Sequence, residues 1–123
     1  MATETKVGIF AAAGVVKGKV FNLRTRIKLG ITHDAVKASV LRMEEAGEFA
    51  DWTKENVSEC LEARGQLLAL AVMEDIRTQN APAWCEEYEA GAVDWEAVLA
   101  FVTQLLQIIM PFIIKSRAKL LAA

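Results

Sequence analysis

Residues 97–114, Ala-Val-Leu-Ala-Phe-Val-Thr-Gln-Leu-Leu-Gln-Ile-Ile-Met-Pro-Phe-Ile-Ile, constrain this chain more than any other feature. They hold no charged residue, and in water they must be covered by the rest of the chain, by other subunits or by lipid. The remainder of the chain does not dilute this demand. Across 123 residues 54% are hydrophobic and only 24% charged, more apolar side chain than a lone globule of this size readily hides. An oligomer or a membrane contact is the expected consequence. The length suits one folding unit, with residues 1–31 as an N-terminal extended arm or β-hairpin and residues 32–123 as a helical domain.

Glycines 8, 14, 18 and 30 break the first thirty residues. From Phe21 to Ile31 the alternation is nearly strict, with Phe21, Leu23, Thr25, Ile27, Leu29 and Ile31 on one side and Asn22, Arg24, Arg26 and Lys28 on the other. Period two predicts a half-buried strand, which Lys17-Gly18 turns back on residues 7–16 as a hairpin. Helical spacing follows. Thr32 or Asp34 caps a helix to about Ala46 carrying Val36, Val40 and Met43, and Gly47 is its stop. Thr53 is expected to open a long helix to about Thr78 with Val57, Leu61, Leu68, Val72 and Ile76 as its apolar stripe. Gly65 within it suggests close approach of another element. Pro82 suits the first turn of a short helix ending near Gly91, and Asp94 caps the last helix. The fold class is therefore mainly α: a small helical bundle around a C-terminal apolar helix, with a short N-terminal β-hairpin or extended arm.

The last helix is at the lower length limit for a membrane span, about 20 residues being usual. Acidic residues before it and Lys115, Arg117 and Lys119 after it would orient its tail to the cytoplasm. Thr103, Gln104 and Gln107 form a narrow polar strip and Pro111 removes a backbone hydrogen bond, all unfavourable in lipid. The amphipathic stripes upstream offer it protein cover instead. Phe101, Leu105, Leu106, Ile109, Phe112 and Ile113 are accordingly the candidate oligomer interface.

Net charge is −2 with a pI near 5.5, but the signs are segregated. Through Lys37 the bases Lys6, Lys17, Lys19, Arg24, Arg26, Lys28 and Lys37 face only Glu4 and Asp34, whereas residues 38–96 are strongly acidic. A basic end meeting the acidic middle of a neighbouring subunit would use this pattern; a basic arm for nucleic acid or anionic lipid is the alternative. On a strand, Arg24, Arg26 and Lys28 would stand about 6.6 Å apart on one face, near the phosphate repeat of one nucleic-acid strand. A charged strand face that discourages aggregation is the more ordinary role.

Residues 29–49, Leu-Gly-Ile-Thr-His-Asp-Ala-Val-Lys-Ala-Ser-Val-Leu-Arg-Met-Glu-Glu-Ala-Gly-Glu-Phe, resemble the turn and second helix of a winged helix-turn-helix. The resemblance spans some twenty residues and implies that Lys37 and Arg42 contact phosphate or base edges. Two features depart from it: the preceding segment has strand periodicity, and no wing hairpin follows Phe49.

Signals for chemistry are weak. Cys60 and Cys85 form no C-x-x-C pair, and His33 alone completes no zinc site. His33 and Asp34 are adjacent, which suits a helix cap better than a catalytic dyad. Glu86, Glu87 and Glu89 lack calcium-loop spacing, and Gly14-x-x-x-Gly18 is not followed by the Lys-Ser/Thr of a phosphate loop. Trp52, Trp84 and Trp95 stand at element boundaries, where they close the ends of a helical core. No catalytic, cofactor or metal site is expected, and the N-terminus does not read as a signal peptide. The expected role is a non-enzymatic, homo-oligomeric structural subunit, cytoplasmic or of a virion or phage particle, with other assembly proteins as further partners. A small membrane-associated protein and a helix-turn-helix-like nucleic-acid binder are the alternatives.

Overall fold

The structure, a computed structural model, describes residues 15–16, 19–91 and 93–122. It is mainly helical. Two short strands, β1 (Val15–Val16) and β2 (Lys19–Val20), pair antiparallel with Val15 opposite Val20; the rest of the first strand expected over residues 7–16 and the Lys17-Gly18 turn lie outside the described residues. The helices are α1 (Leu23–Leu29), α2 (His33–Glu45), α3 (Val57–Gln79), α4 (Ala81–Ala90) and α5 (Trp95–Ala122). The most extensive packing is between α3 and α5, α2 lies against both, and α1 rests on α4.

The strand expected over residues 21–31 is corrected: this segment folds as α1. Local capping outweighs the two-residue alternation. The Asn22 side chain accepts from Thr25 N at 3.0 Å and closes the first turn. Gly30 adopts φ 76°, and the amides of Gly30 and Ile31 donate back to Ile27 O and Arg26 O in a Schellman closure. A side chain at this left-handed position would be strained. The last carbonyls of α1 find partners far along the chain: Asn80 Nδ2 donates to Lys28 O and Trp84 Nε1 to Leu29 O, each at 2.8 Å. Phe21, Leu29 and Ile31 are buried while Leu23 and Ile27 face solvent, so the alternation did not mark a buried face.

Helix α2 starts where Thr32 accepts from Ala35 N and stops at Gly47 with a second Schellman closure, Glu48 N to Met43 O. Helix α3 starts four residues later than Thr53 suggests. Thr53 and Asn56 bond each other reciprocally, amide to side-chain oxygen at 2.7 and 3.1 Å, which closes residues 53–56 as a turn before the helix. Asp94 Oδ1 caps α5, accepting from Glu96 N and Ala97 N.

The core is built on four-residue rows. On α5, Val98, Val102, Leu106, Met110 and Ile114 are each 0–1% exposed, one ridge at i, i+4 spacing. Leu68, Val72 and Ile76 of α3 and Val36 and Val40 of α2 are buried as well. Burying an aliphatic side chain contributes about 1.5–3 kcal/mol, so this row is the main apolar contribution of α5. The helix continues through Pro111.

Among the described residues, the close approach suggested by Gly65 is not present: a Cβ built there meets none of their atoms within 4 Å, although the residue is buried. Gly65→Ala is therefore expected to stabilise the chain by about 0.5–1 kcal/mol through helix propensity, read as a higher urea midpoint with unchanged slope. A destabilised variant would show that the site is packed after all.

Candidate interaction surface

Among its described side chains, helix α5 has one outward strip. Glu96, Ala100, Gln104, Gln107, Ile108, Phe112 and Lys115 are exposed along it, while the flanking positions enter the core. Its first half is polar or small. Its second half carries Ile108 at 66% and Phe112 at 60% exposure. Leu41 of α2 is also exposed, and Lys37 Nζ lies 5.4 Å from the Phe112 ring centroid. Two hollows flank this Lys37–Phe112 pair. One of about 270 Å³ is lined by His33, Lys37, Ile108, Ile109 and Phe112. The other, about 200 Å³, shares Lys37 and Phe112 and adds Leu41, Glu44, Ile113, Ser116 and Arg117. Phe112 thus stands as an apolar ridge between two apolar depressions.

Of the six residues expected at an oligomer interface, Phe101, Leu106, Ile109 and Ile113 lie in the chain's own core. Leu105 is half-buried, and Phe112 faces solvent. Ile108 and Leu41, exposed as Phe112 is, are not among those six. The polar strip contained the missing signal: Gln104, Ile108 and Phe112 follow at i, i+4 and i+8, so they share the outward face that Gln104 marks.

The cations expected to form one row are dispersed by the helix. Arg24 is exposed, whereas the Arg26 guanidinium stacks 4.5 Å from the Phe101 ring centroid. Phe21 meets the same ring edge-on at 5.6 Å. Lys28 is paired with Glu86 at 2.9 Å and Glu87 at 2.6 Å; these carboxylates, Glu87 foremost, hold its ammonium above the usual lysine range. Arg42 pairs with Asp75 and keeps that carboxyl below the usual carboxylate range. Arg64 does the same for Asp51, 2.8 Å away. Part of the segregated charge is therefore matched within one chain: Lys28 meets the acidic middle, and Arg117 meets Glu44 at 2.9 Å.

The segment preceding residues 30–32 is helical, so α1, a three-residue turn and α2 do follow one another as helix, turn and helix. Lys37 and Arg42, the contacts implied by that resemblance, are engaged with Phe112 and Asp75. The exposed positions of α2 are His33, Asp34, Ala38, Leu41, Arg42 and Glu45, a face poor in unpaired cations.

A separate depression of about 390 Å³ opens where α3, α4 and α5 meet, lined by Arg77, Trp84, Cys85, Tyr88 and Trp95. Trp84 and Trp95 stack with ring centroids 5.1 Å apart, and Tyr88 lies 6.4 Å from Trp95. His33 Nδ1 and Asp34 Oδ1 are 3.8 Å apart on the open surface. Among the described residues no three His, Cys, Asp or Glu side chains gather as a metal set. Cys60 is buried and Cys85 exposed. Trp95–Arg117 is long and apolar enough to cross a membrane by length and composition, with mean hydropathy 2.2 and half of that window buried in the fold. No protein-family model, curated protein or solved structure matches the chain.

Proposed function

We propose that this chain is a non-enzymatic assembly subunit that associates with copies of itself through the α2–α5 face. A structural particle such as a virion shell is the setting that suits a small subunit of this kind. The observation that supports the reading is the Phe112 ridge between its two hollows. A two-fold contact places the same patch on both partners, so the Phe112 ring of one copy would enter the hollow beside Ile108 of the other, and the reverse. Ile108 and Leu41 supply the rest of the apolar contact, with His33, Lys37 and Lys115 at its margin. Large aromatic side chains seated in pockets carry most of the energy of such contacts.

Size-exclusion chromatography with light scattering, without and with detergent, tests the reading. The wild-type chain is expected to run as a defined soluble oligomer. Phe112→Glu should weaken association about 30-fold or more, the loss of one central aromatic contact of about 2 kcal/mol, with the helical circular dichroism unchanged. A wild-type monomer in the absence of detergent would count against self-association.

A second reading, insertion in a membrane, is favoured by the length and hydropathy of Trp95–Arg117. It predicts a wild-type chain that partitions with vesicles and needs detergent to stay dispersed. Glu96, Gln104, Gln107 and Lys115 on the outward strip would then have to be shielded from lipid.

A further inference from the structure

The depression between α3, α4 and α5 gathers Trp84, Tyr88 and Trp95 in one wall. Its volume, about 390 Å³, lies in the range of small-molecule sites, roughly 300–1,000 Å³. Among the described residues five line it, three of them aromatic, and each of the three is placed differently. Trp84 is buried and fixed, its indole N–H donating to Leu29 O at 2.8 Å. Trp95 stacks on it at 5.1 Å with 28° between the planes and is itself half-buried. Tyr88 is 73% exposed and tilted 42° to Trp95, 6.4 Å away. The Trp84–Trp95 spacing leaves no room for a guest between the two indoles, so a bound ring must lie against Trp95 and Tyr88. That arrangement favours a flat aromatic guest, for which offset stacking adds to apolar burial.

The polar groups narrow the guest further. Arg77 is matched by Glu74, which accepts from Nε at 2.8 Å and from Nη2, so the wall carries no net charge from this pair. A guanidinium has five N–H groups, and the pair with Glu74 uses two, so Arg77 can still donate into the depression. The Tyr88 hydroxyl can donate as well. A neutral guest with a hydrogen-bond acceptor satisfies both, whereas an ammonium would meet Arg77.

We infer that the Arg77–Trp84–Cys85–Tyr88–Trp95 depression binds a neutral, planar aromatic small molecule bearing a hydrogen-bond acceptor, its ring on Trp95 and Tyr88 and its acceptor toward Arg77. The site is independent of the α2–α5 face and does not rest on self-association.

Cys85 gives a direct readout, because its thiol is exposed in the wall while Cys60 is buried. The intact chain is titrated with indole-3-carboxamide by calorimetry, and Cys85 alkylation by iodoacetamide is followed by mass spectrometry in parallel. Saturable one-to-one binding is expected, together with slower alkylation of Cys85. Cyclohexanecarboxamide, with the same acceptor on a puckered ring, should do neither at equal concentration. Tyr88→Ala, at an exposed position, should weaken binding about fivefold, the scale of one aromatic stacking contact. Arg77→Gln should weaken it too, and circular dichroism shows both variants to be folded. Absence of binding and of protection overturns the inference. So does equal binding of the two amides, or an affinity unchanged in Tyr88→Ala.

Discussion

Leu106→Glu is expected to unfold the chain rather than to dissociate an assembly. Leu106 is fully buried at the centre of the row formed by Val98, Val102, Met110 and Ile114, and that row is what α5 presents to the core. A carboxylate there loses its hydration without gaining a partner. The apolar contacts of the leucine disappear as well; truncation of a buried leucine alone costs about 2–5 kcal/mol. Together these effects match or exceed the whole stability of a typical domain, about 5–15 kcal/mol. Circular dichroism at neutral pH should show loss of helix and no cooperative thermal transition. Phe112→Glu, two turns along but on the outward strip, should retain both. A folded Leu106→Glu chain with an unchanged melting temperature would overturn the placement of this row in the core.

Arg117→Met is expected to cost about 3 kcal/mol, the scale of breaking a partly buried charge pair together with its hydrogen bonds. Arg117 joins the end of α5 to the connection between α2 and α3. Its Nη1 donates to Glu44 Oε1 and to Phe49 O, each at 2.9 Å, and its Nη2 donates to Trp52 O. Neither partner of the ion pair is well exposed, at 24% and 20%. Methionine retains much of the apolar stem but leaves two backbone carbonyls and a carboxylate without this donor. Phe49 and Trp52, whose rings meet edge-on at 5.3 Å, would lose the contact that fixes their backbone. Urea unfolding gives the magnitude, and hydrogen exchange at residues 49–52 should rise more than in α3. Arg117→Lys should recover only part of the loss, since an ammonium lacks the planar fork that reaches several acceptors. A cost below about 1 kcal/mol would reduce this contact to an ordinary surface pair.

These two residues show how unevenly the molecule is written in its sequence. Four-residue spacing in residues 97–114 and the stripe Leu68, Val72 and Ile76 are local patterns, and they identify helices and a helical core without any tertiary information. The caps at Thr32, Gly47 and Asp94 are equally local, because each acts within one turn. The segment 21–31 had two local signals in conflict. Alternation pointed to a strand, whereas Asn22 and Gly30 bracket a helix. The local caps outweighed the alternation, and Asn80 and Trp84, more than fifty residues away, satisfy the last carbonyls of the resulting helix.

The surface was harder to read for the same reason. Hydrophobicity marks Phe101, Leu106, Ile109, Phe112 and Ile113 alike, and only the packing of α2 and α3 against α5 separates the buried four from exposed Phe112. Likewise Arg77, Trp84, Cys85, Tyr88 and Trp95 span three helices, and no spacing within one helix foretells their meeting. Residues 97–114 therefore declared from composition alone that they must be covered. Which face is covered, and that Ile108 and Phe112 are left outside, follows from the neighbours the fold supplies, because burial is a property of the surroundings and not of the side chain.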